Sequence, residues 1–483
     1  MELLSPAGNV EKLAYAYQYG ADAAYIGLRQ FSLRVKADNF YADEYEQVAA
    51  LKRQFPGRRL HCALNIAFHN RDIDAFLGQL DYFKQYPIDA FIVQDLGIVP
   101  ILQKHFPHVQ LHVSTQASVT NREAVKVYRS MGFSRVVLAR EVSLAEVREI
   151  KDAVPDMEIE CFAHGAMCIA YSGRCLMSAY LTGRSAQSGF CSHTCRWEYD
   201  VLADAKKLAE SGALVLRERK RPDALFPVYE GDGFTAVLSS KDLRMIEHLD
   251  DMRRAGVDSL KIEGRMKSVY YVAMVTRAYR KALDALAGTI TAEEAAPFIA
   301  SLDEVAHRES TTGFFYSRAE ADKTTVGASD SPYVLAGTVG AEYDATQTEA
   351  VFAAGAEMIA ARERERAAMH PQARAAAERD EAAHPEKCPA ALQKRAGWHL
   401  YPYVSLNKTD AGTELEIITP DVLKTVLAAE HYVFANPKNG AILSFVNPDH
   451  DCALYTDLLI PAGALVRTKD AEYERGVVRT TGR

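Results

Sequence analysis

Over the first 290 residues, short apolar runs alternate with longer amphipathic stretches. The runs are 2–5 (ELLS), 23–27 (AAYIG), 60–66 (LHCALNI), 89–94 (DAFIVQ), 110–114 (QLHVS), 135–139 (RVVLA), 158–163 (EIECFA) and 259–263 (SLKIE). Each is mostly apolar, as expected of a parallel strand buried on both faces. Helical patterns such as 9–19 and 121–131 lie between them. Tyr19-Gly20-Ala21-Asp22, Met131-Gly132-Phe133-Ser134 and Ala255-Gly256-Val257-Asp258 are alike, each placing Gly where a helix ends and a strand follows. Eight β runs alternating with helices predict an α/β fold, a (β/α)8 TIM-like barrel over residues 1–295. A doubly wound sheet is the alternative.

One gap breaks this rhythm. About 95 residues separate the seventh run from the eighth, far more than a helical crossover needs. The spacing predicts an insertion over 164–237 that carries four of the eight cysteines and a basic piece at 217–221 (RERKR), read as a solvated loop. Lys241-Asp242-Leu243 is expected to open a helical stretch leading to the eighth strand. The barrel is expected to end in a helix over 269–287. Residues 296–397 read as a connector followed by a charged arm, rich in Ala, Glu and Arg from 357 to 395. From Trp398 the pattern turns to strands, at 414–418, 441–446 and 464–468, and predicts a small β-barrel or sandwich over 398–483.

The chain has 483 residues, long enough for two or more domains, and a net charge of -8. That balance argues against a surface that coats nucleic acid along its whole extent and leaves room for a local basic patch. No basic segment followed by an apolar core opens the chain, and no run of about 18 apolar residues interrupts it. The expectation is a cytoplasmic protein without a membrane partner, in which clustered cysteines point to metal or redox chemistry rather than to disulfides.

The cysteines of the insertion are spaced Cys168-x6-Cys175-x15-Cys191-x3-Cys195. Four thiolates can complete a [4Fe–4S] cluster, one per iron, or enclose a tetrahedral zinc. Zinc ligands usually pair two to four residues apart, which only the second pair here satisfies. Buried free thiols are the bland reading, and it suits Cys62 and Cys161, which lie within apolar strands; Cys388 and Cys452 are isolated and read as incidental. The quartet follows directly on the seventh strand, at the end where barrels of this kind carry function. His164 stands at the same point as a candidate acid/base group, a hydrogen-bond partner to the cluster or a packed loop histidine. Polar residues recur at the other strand ends: Asn65, Arg140, Glu263, Arg265 and Lys267, with Arg34 as a further anion binder. Glu263 is expected to orient Arg265 and Lys267, which would contact phosphate or carboxylate.

Glu160-Cys161-Phe162-Ala163-His164-Gly165-Ala166-Met167-Cys168 and Tyr171-Ser172-Gly173-Arg174-Cys175-Leu176-Met177-Ser178 resemble the signature of peptidase family U32. The likeness continues through Cys191, through Cys195-Arg196-Trp197-Glu198-Tyr199 and through Ile262-Glu263-Gly264-Arg265-Met266-Lys267-Ser268, and covers roughly residues 1–320. Within the family it is similar to the tRNA-hydroxylating branch. The resemblance implies an iron–sulfur protein whose cluster is held by Cys168, Cys175, Cys191 and Cys195. It implies oxygen-independent formation of 5-hydroxyuridine at the wobble position in the tRNA anticodon loop, with prephenate linked to it as hydroxyl source. A protein that donates electrons or otherwise partners the chain is also expected. The alternatives are hydroxylation of ribosomal RNA or the peptidase activity of the family name. A peptidase needs an activated nucleophile or a metal-bound water, and neither Gly-x-Ser-x-Gly nor His-Glu-x-x-His occurs.

Overall fold

The computed structural model describes residues 1–28, 31–33, 39–41, 43–168, 170–175, 177–178, 186, 191, 195, 214–218, 221–231, 234–236, 240–317, 331–384, 389–448, 450–470 and 473. Arg34, Cys388 and much of the 164–237 insertion lie outside them. The chain forms two compact units, one within residues 1–330 and the other within 331–477.

The first unit is the expected barrel. Its strands are β1 (Glu2–Pro6), β2 (Ala23–Ile26), β3 (Arg59–Leu64), β4 (Ala90–Val93), β5 (Gln110–Val113), β6 (Arg135–Val137), β7 (Glu158–Ala166) and β8 (Ser259–Ile262). Each pairs in parallel with the next, and β8 pairs with both β7 and β1, which closes the ring. Nearly every residue of these strands is buried, which is why their runs carry no polar alternation. Helices start where the sequence supplies caps. The Asn9 and Asn121 side chains accept from the backbone N–H groups of Lys12 and Ala124. Gly20, Gly132 and Gly256 all take the left-handed backbone at the helix-to-strand joins.

Two expectations in this unit are corrected. Asp242–Arg244 is a strand, not the start of a helix; it runs antiparallel to the end of β7 and parallel to Ser310–Thr311. The buried Asp242–Arg308 ion pair, 2.7 Å, ties that added edge down. The helix before β8 begins later, at Leu249–Ala255. The basic piece at 217–221 is not a plain loop, since Leu214–Glu218 and Arg221–Gly231 are paired antiparallel strands.

The second unit is a seven-stranded antiparallel sheet, ordered Thr425–Leu427, Leu415–Ile418, Leu465–Lys469, Tyr333–Val339, His399–Ser405, Cys452–Thr456, Tyr432–Ala435. Its boundary falls at Asp330/Ser331 rather than at 397/398, because Tyr333–Val339 supplies a central strand, bonded to both His399–Ser405 and Leu465–Lys469. Leu415, Phe434, Leu454 and Val466 fill its core. The charged arm is helical, Ala345–Ala368 followed by Pro371–Ala383. No helix among the described residues is long and apolar enough to cross a membrane.

Candidate metal centre and active site

The interior of the barrel is charged, contrary to the usual packing with branched aliphatics. Arg135 is buried and reaches Glu2, Glu158 and Glu160 at 2.5, 2.7 and 3.0 Å. The other oxygen of Glu160 accepts from Lys261 Nζ at 2.7 Å. Burial would raise Glu2, but bonding to Arg135 and its charge bring the carboxyl down to about 2. Burial opposes ionisation of Glu160 too, and the charges of Lys261 and Arg135 win and lower it. His61 and His112 stack edge-on in the same layer, with ring centroids 4.8 Å apart. Burial pushes His61 down to about 4 and His112 well below its usual value, so both are neutral.

Lys261 forms the floor of a cavity of about 230 Å³ above this layer, at the C-terminal ends of the strands. Its ammonium lies 4.6 Å from the centre of the Tyr25 ring. Cys168, Cys175, Cys191 and Cys195 all line this cavity, as do Asn65, Arg140, Glu263, Arg265 and Lys267. Thiols as far apart in sequence as 168 and 195 therefore open on the same space as the polar strand ends. Cys168 is exposed and the other three are half-buried. Cys62, Cys161 and Cys452 are buried instead, and burial pushes the Cys62 and Cys452 thiols up to about 12. Among the described residues, the thiols of the cavity are the accessible ones. Among the described residues, His61, His112 and Glu160 are the one set of such groups whose ligand atoms all lie within 4.8 Å of one another. Both oxygens of Glu160 are already engaged there, which assigns that set to the buried charge layer. Four thiols opening on one cavity are a donor set that fits either an iron–sulfur cluster or a single zinc.

A clamp positions the first two cysteines. The turn between them is closed by Arg174 N–H on the Tyr171 carbonyl, 3.0 Å. Ser172 N–H donates to Glu141 at 2.8 Å, and Ser118 Oγ donates to the Ser172 carbonyl. Gly173 has φ +72°, and a Cβ there would stand 2.1 Å from the Gln116 carbonyl oxygen, so the turn sits directly on the backbone after β5.

The cationic groups are held at the ends of β6 and β8, the two neighbours of β7. Arg140 lies over the Phe162 ring, 3.7 Å to its centre, and its guanidinium is 3.5 Å from Glu263. Arg265 is buried and donates to Ser32 Oγ at 2.7 Å. Lys267 sits over the Tyr271 ring at 5.2 Å. Asn65 Oδ1 accepts from Leu33 N–H at 3.1 Å. Glu263 thus pairs with Arg140, a partner not expected for it.

His164 does not join this group. It is absent from the cavity wall, and its ring packs edge-on against Tyr279, with Nδ1 3.4 Å from the Tyr279 hydroxyl. Burial pushes its imidazole down to about 3. The cause is a bulge: Lys261 pairs with Phe162 but Ile262 pairs with His164, so β7 loses its alternation beyond Phe162. Phe162 faces the cavity and His164 does not. Sequence reasoning also missed Lys261, Tyr25 and Phe162. The only signal for Lys261 was a lone charge inside an otherwise apolar strand.

The sequence model of peptidase family U32 matches residues 8–325. "tRNA hydroxylation protein P" of Escherichia coli (strain K12) is 40% identical over 342 residues, covering 65% of this chain and 74% of that one. "tRNA hydroxylation protein P1" of Bacillus subtilis (strain 168) is 40% identical over 318 residues, covering 65% and 70%. "23S rRNA 5-hydroxycytidine C2501 synthase" of Escherichia coli (strain K12) is 36% identical over 347 residues, covering 70% of this chain and 48% of that one. The matched span contains β2 to β8, the cysteine turn and the cavity they enclose, and the chain belongs to peptidase family U32.

Proposed function

We propose that this chain is an RNA-modifying hydroxylase that forms 5-hydroxyuridine at the wobble uridine of tRNA without molecular oxygen, with a [4Fe–4S] cluster on Cys168, Cys175, Cys191 and Cys195. The supporting observation is that these four thiols and Arg140, Glu263, Arg265 and Lys267 open on one cavity, in a chain 40% identical to proteins named for tRNA hydroxylation. Bound there, the cluster would supply electron transfer beside the base.

The chain's own residues do the rest. A cavity of about 230 Å³ admits a base or a small molecule but no duplex. The target must leave its stack, which is easier in an anticodon loop than in a helix. Arg265, Lys267 and Lys261 supply positive charge for phosphate or carboxylate, and Glu263 orients Arg140. Prephenate, a dicarboxylate, suits these cations as hydroxyl donor. The exchange balances when the C5–H of uridine becomes C5–OH while the donor's C–OH becomes C–H. Uridine is then oxidised by two electrons and the donor reduced by two. A tRNA substrate places the reaction in the cytoplasm.

The peptidase reading has less support. With the four cavity thiols given to a cluster no catalytic thiol is left there, and His164 faces Tyr279 instead of the cavity. Ribosomal RNA is the weaker substrate, because the chain spans 48% of that relative but 70–74% of the two tRNA-named ones.

The test is mass spectrometry of tRNA nucleosides from a strain lacking the gene. 5-Hydroxyuridine and its derivatives should vanish and return with the wild-type chain but not with Cys191→Ser. An unchanged nucleoside profile in the deletion strain overturns the proposal.

A further inference from the structure

Tyr171 and Met266 stand out on the rim of the cavity. Seven large hydrophobic side chains are exposed among the described residues of the barrel unit: Tyr41, Leu77, Leu96, Val127, Tyr171, Met266 and Tyr316. Only Tyr171 and Met266 line the cavity, 59% and 46% exposed. Tyr171 is not loose. Its carbonyl closes the turn to Arg174, and the next two residues are pinned by Glu141, Ser118 and the Gln116 carbonyl. A rigid backbone therefore holds an aromatic ring in solvent, between two of the cysteines and at the entrance they share. Met266 lies between Arg265 and Lys267 in sequence, and all three line the same cavity.

We infer that Tyr171 and Met266 form a stacking platform that receives the unpaired target base of the RNA as it enters the cavity. Every base offers a π-face to an aromatic ring, and a flexible thioether packs well against a flat partner. The neighbouring cations match the phosphates that such a base brings with it, which singles out an unstacked nucleotide over an apolar peptide. Packing alone gives no reason to expose both side chains at this one opening. The inference rests on the RNA-hydroxylase reading and names the residues that grip the base.

The test uses the full chain with its iron content matched between variants. Fluorescence anisotropy measures binding of two anticodon stem-loops, one with uridine at the wobble position and one abasic there. Wild type should prefer the uridine loop. Tyr171→Ala should weaken the uridine loop about tenfold, leave the abasic loop within about twofold, and so erase the preference. Tyr171→Phe should restore the preference, because the ring and not the hydroxyl does the stacking. Met266→Ala should reduce it by a few-fold. Equal weakening of both loops by Tyr171→Ala, or no weakening of either, would overturn the platform while leaving the RNA reading intact. Wild-type protein that binds neither loop would overturn both.

Discussion

Gly173 rests on the backbone of Gln116, so close that a Cβ would come within 2.1 Å of the Gln116 carbonyl oxygen. The obstacle is backbone, which cannot swing aside as a side chain can, and the φ of +72° adds about 1–2 kcal/mol for any residue with a Cβ. Gly173→Ala should therefore lift the Cys168–Cys175 turn off the barrel and remove most of the bound iron. Gly57→Ala is the control, since Gly57 also has positive φ but meets nothing within 4 Å. Iron per chain, with circular dichroism to check folding, separates the two. Equal iron in the Gly173 and Gly57 variants would show that the clamp does not matter.

Arg140 combines a ring contact with an ion pair, lying 3.7 Å from the centre of Phe162 and 3.5 Å from Glu263. A lysine keeps the charge but loses the flat guanidinium that both contacts use. Arg140→Lys should lower kcat/KM by roughly ten- to a hundredfold. Kinetics within twofold of wild type would mean that charge alone suffices.

A Cβ on Gly27 would meet Arg265 Nη1 and Ser32 Oγ, each at 2.5 Å. Gly27→Ala should displace the guanidinium and raise KM for the anionic donor by about as much as Arg265→Ala does. The double variant should be no worse than either single one, because both remove the same contact. Additive losses in KM would place Gly27 in a separate role.

Much of the architecture was legible because a parallel barrel strand is buried on both faces and advertises itself as an apolar run. All eight runs became barrel strands, and Gly20, Gly132 and Gly256 marked their approaches. Asp242–Arg244 escaped notice because it has three residues, two of them charged, and owes its form to the end of β7. Tyr333–Val339 escaped because its partners, His399–Ser405 and Leu465–Lys469, lie far along the chain. The cysteines announced themselves by clustering, and the strand-end cations by position. Which reading of His164 applies was not legible, because a bulge reverses the side of the wall it faces and leaves no trace in a residue pattern. Lys261 and Glu160 were hidden for a related reason, as a buried ion pair resembles two incidental charges until the ring closes.

Acid should unfold the barrel in a predictable window. Glu2 is held down to about 2 against an ordinary 4.5, so its stabilisation is present above pH 4.5 and disappears as the pH falls towards 2. Burial holds His61 down to about 4 from 6.5, so below pH 6.5 the unfolded chain takes up a proton that the folded one refuses until about pH 4. Stability should fall steadily on acidification from pH 6.5, and the urea midpoint of His61→Gln should fall less steeply between pH 6.5 and 4. Parallel curves for the two proteins would contradict this.

The most direct measurement is the iron and acid-labile sulfide content of anaerobically purified protein, in wild type and in five single variants. The expected result is a coloured protein with about four irons and four sulfides per chain. Cys168→Ala, Cys175→Ala, Cys191→Ala and Cys195→Ala should each lose most of both, while Cys161→Ala, in the buried wall of β7, keeps them. A colourless protein with one zinc, or iron content indifferent to the four cavity cysteines, would contradict the assignment.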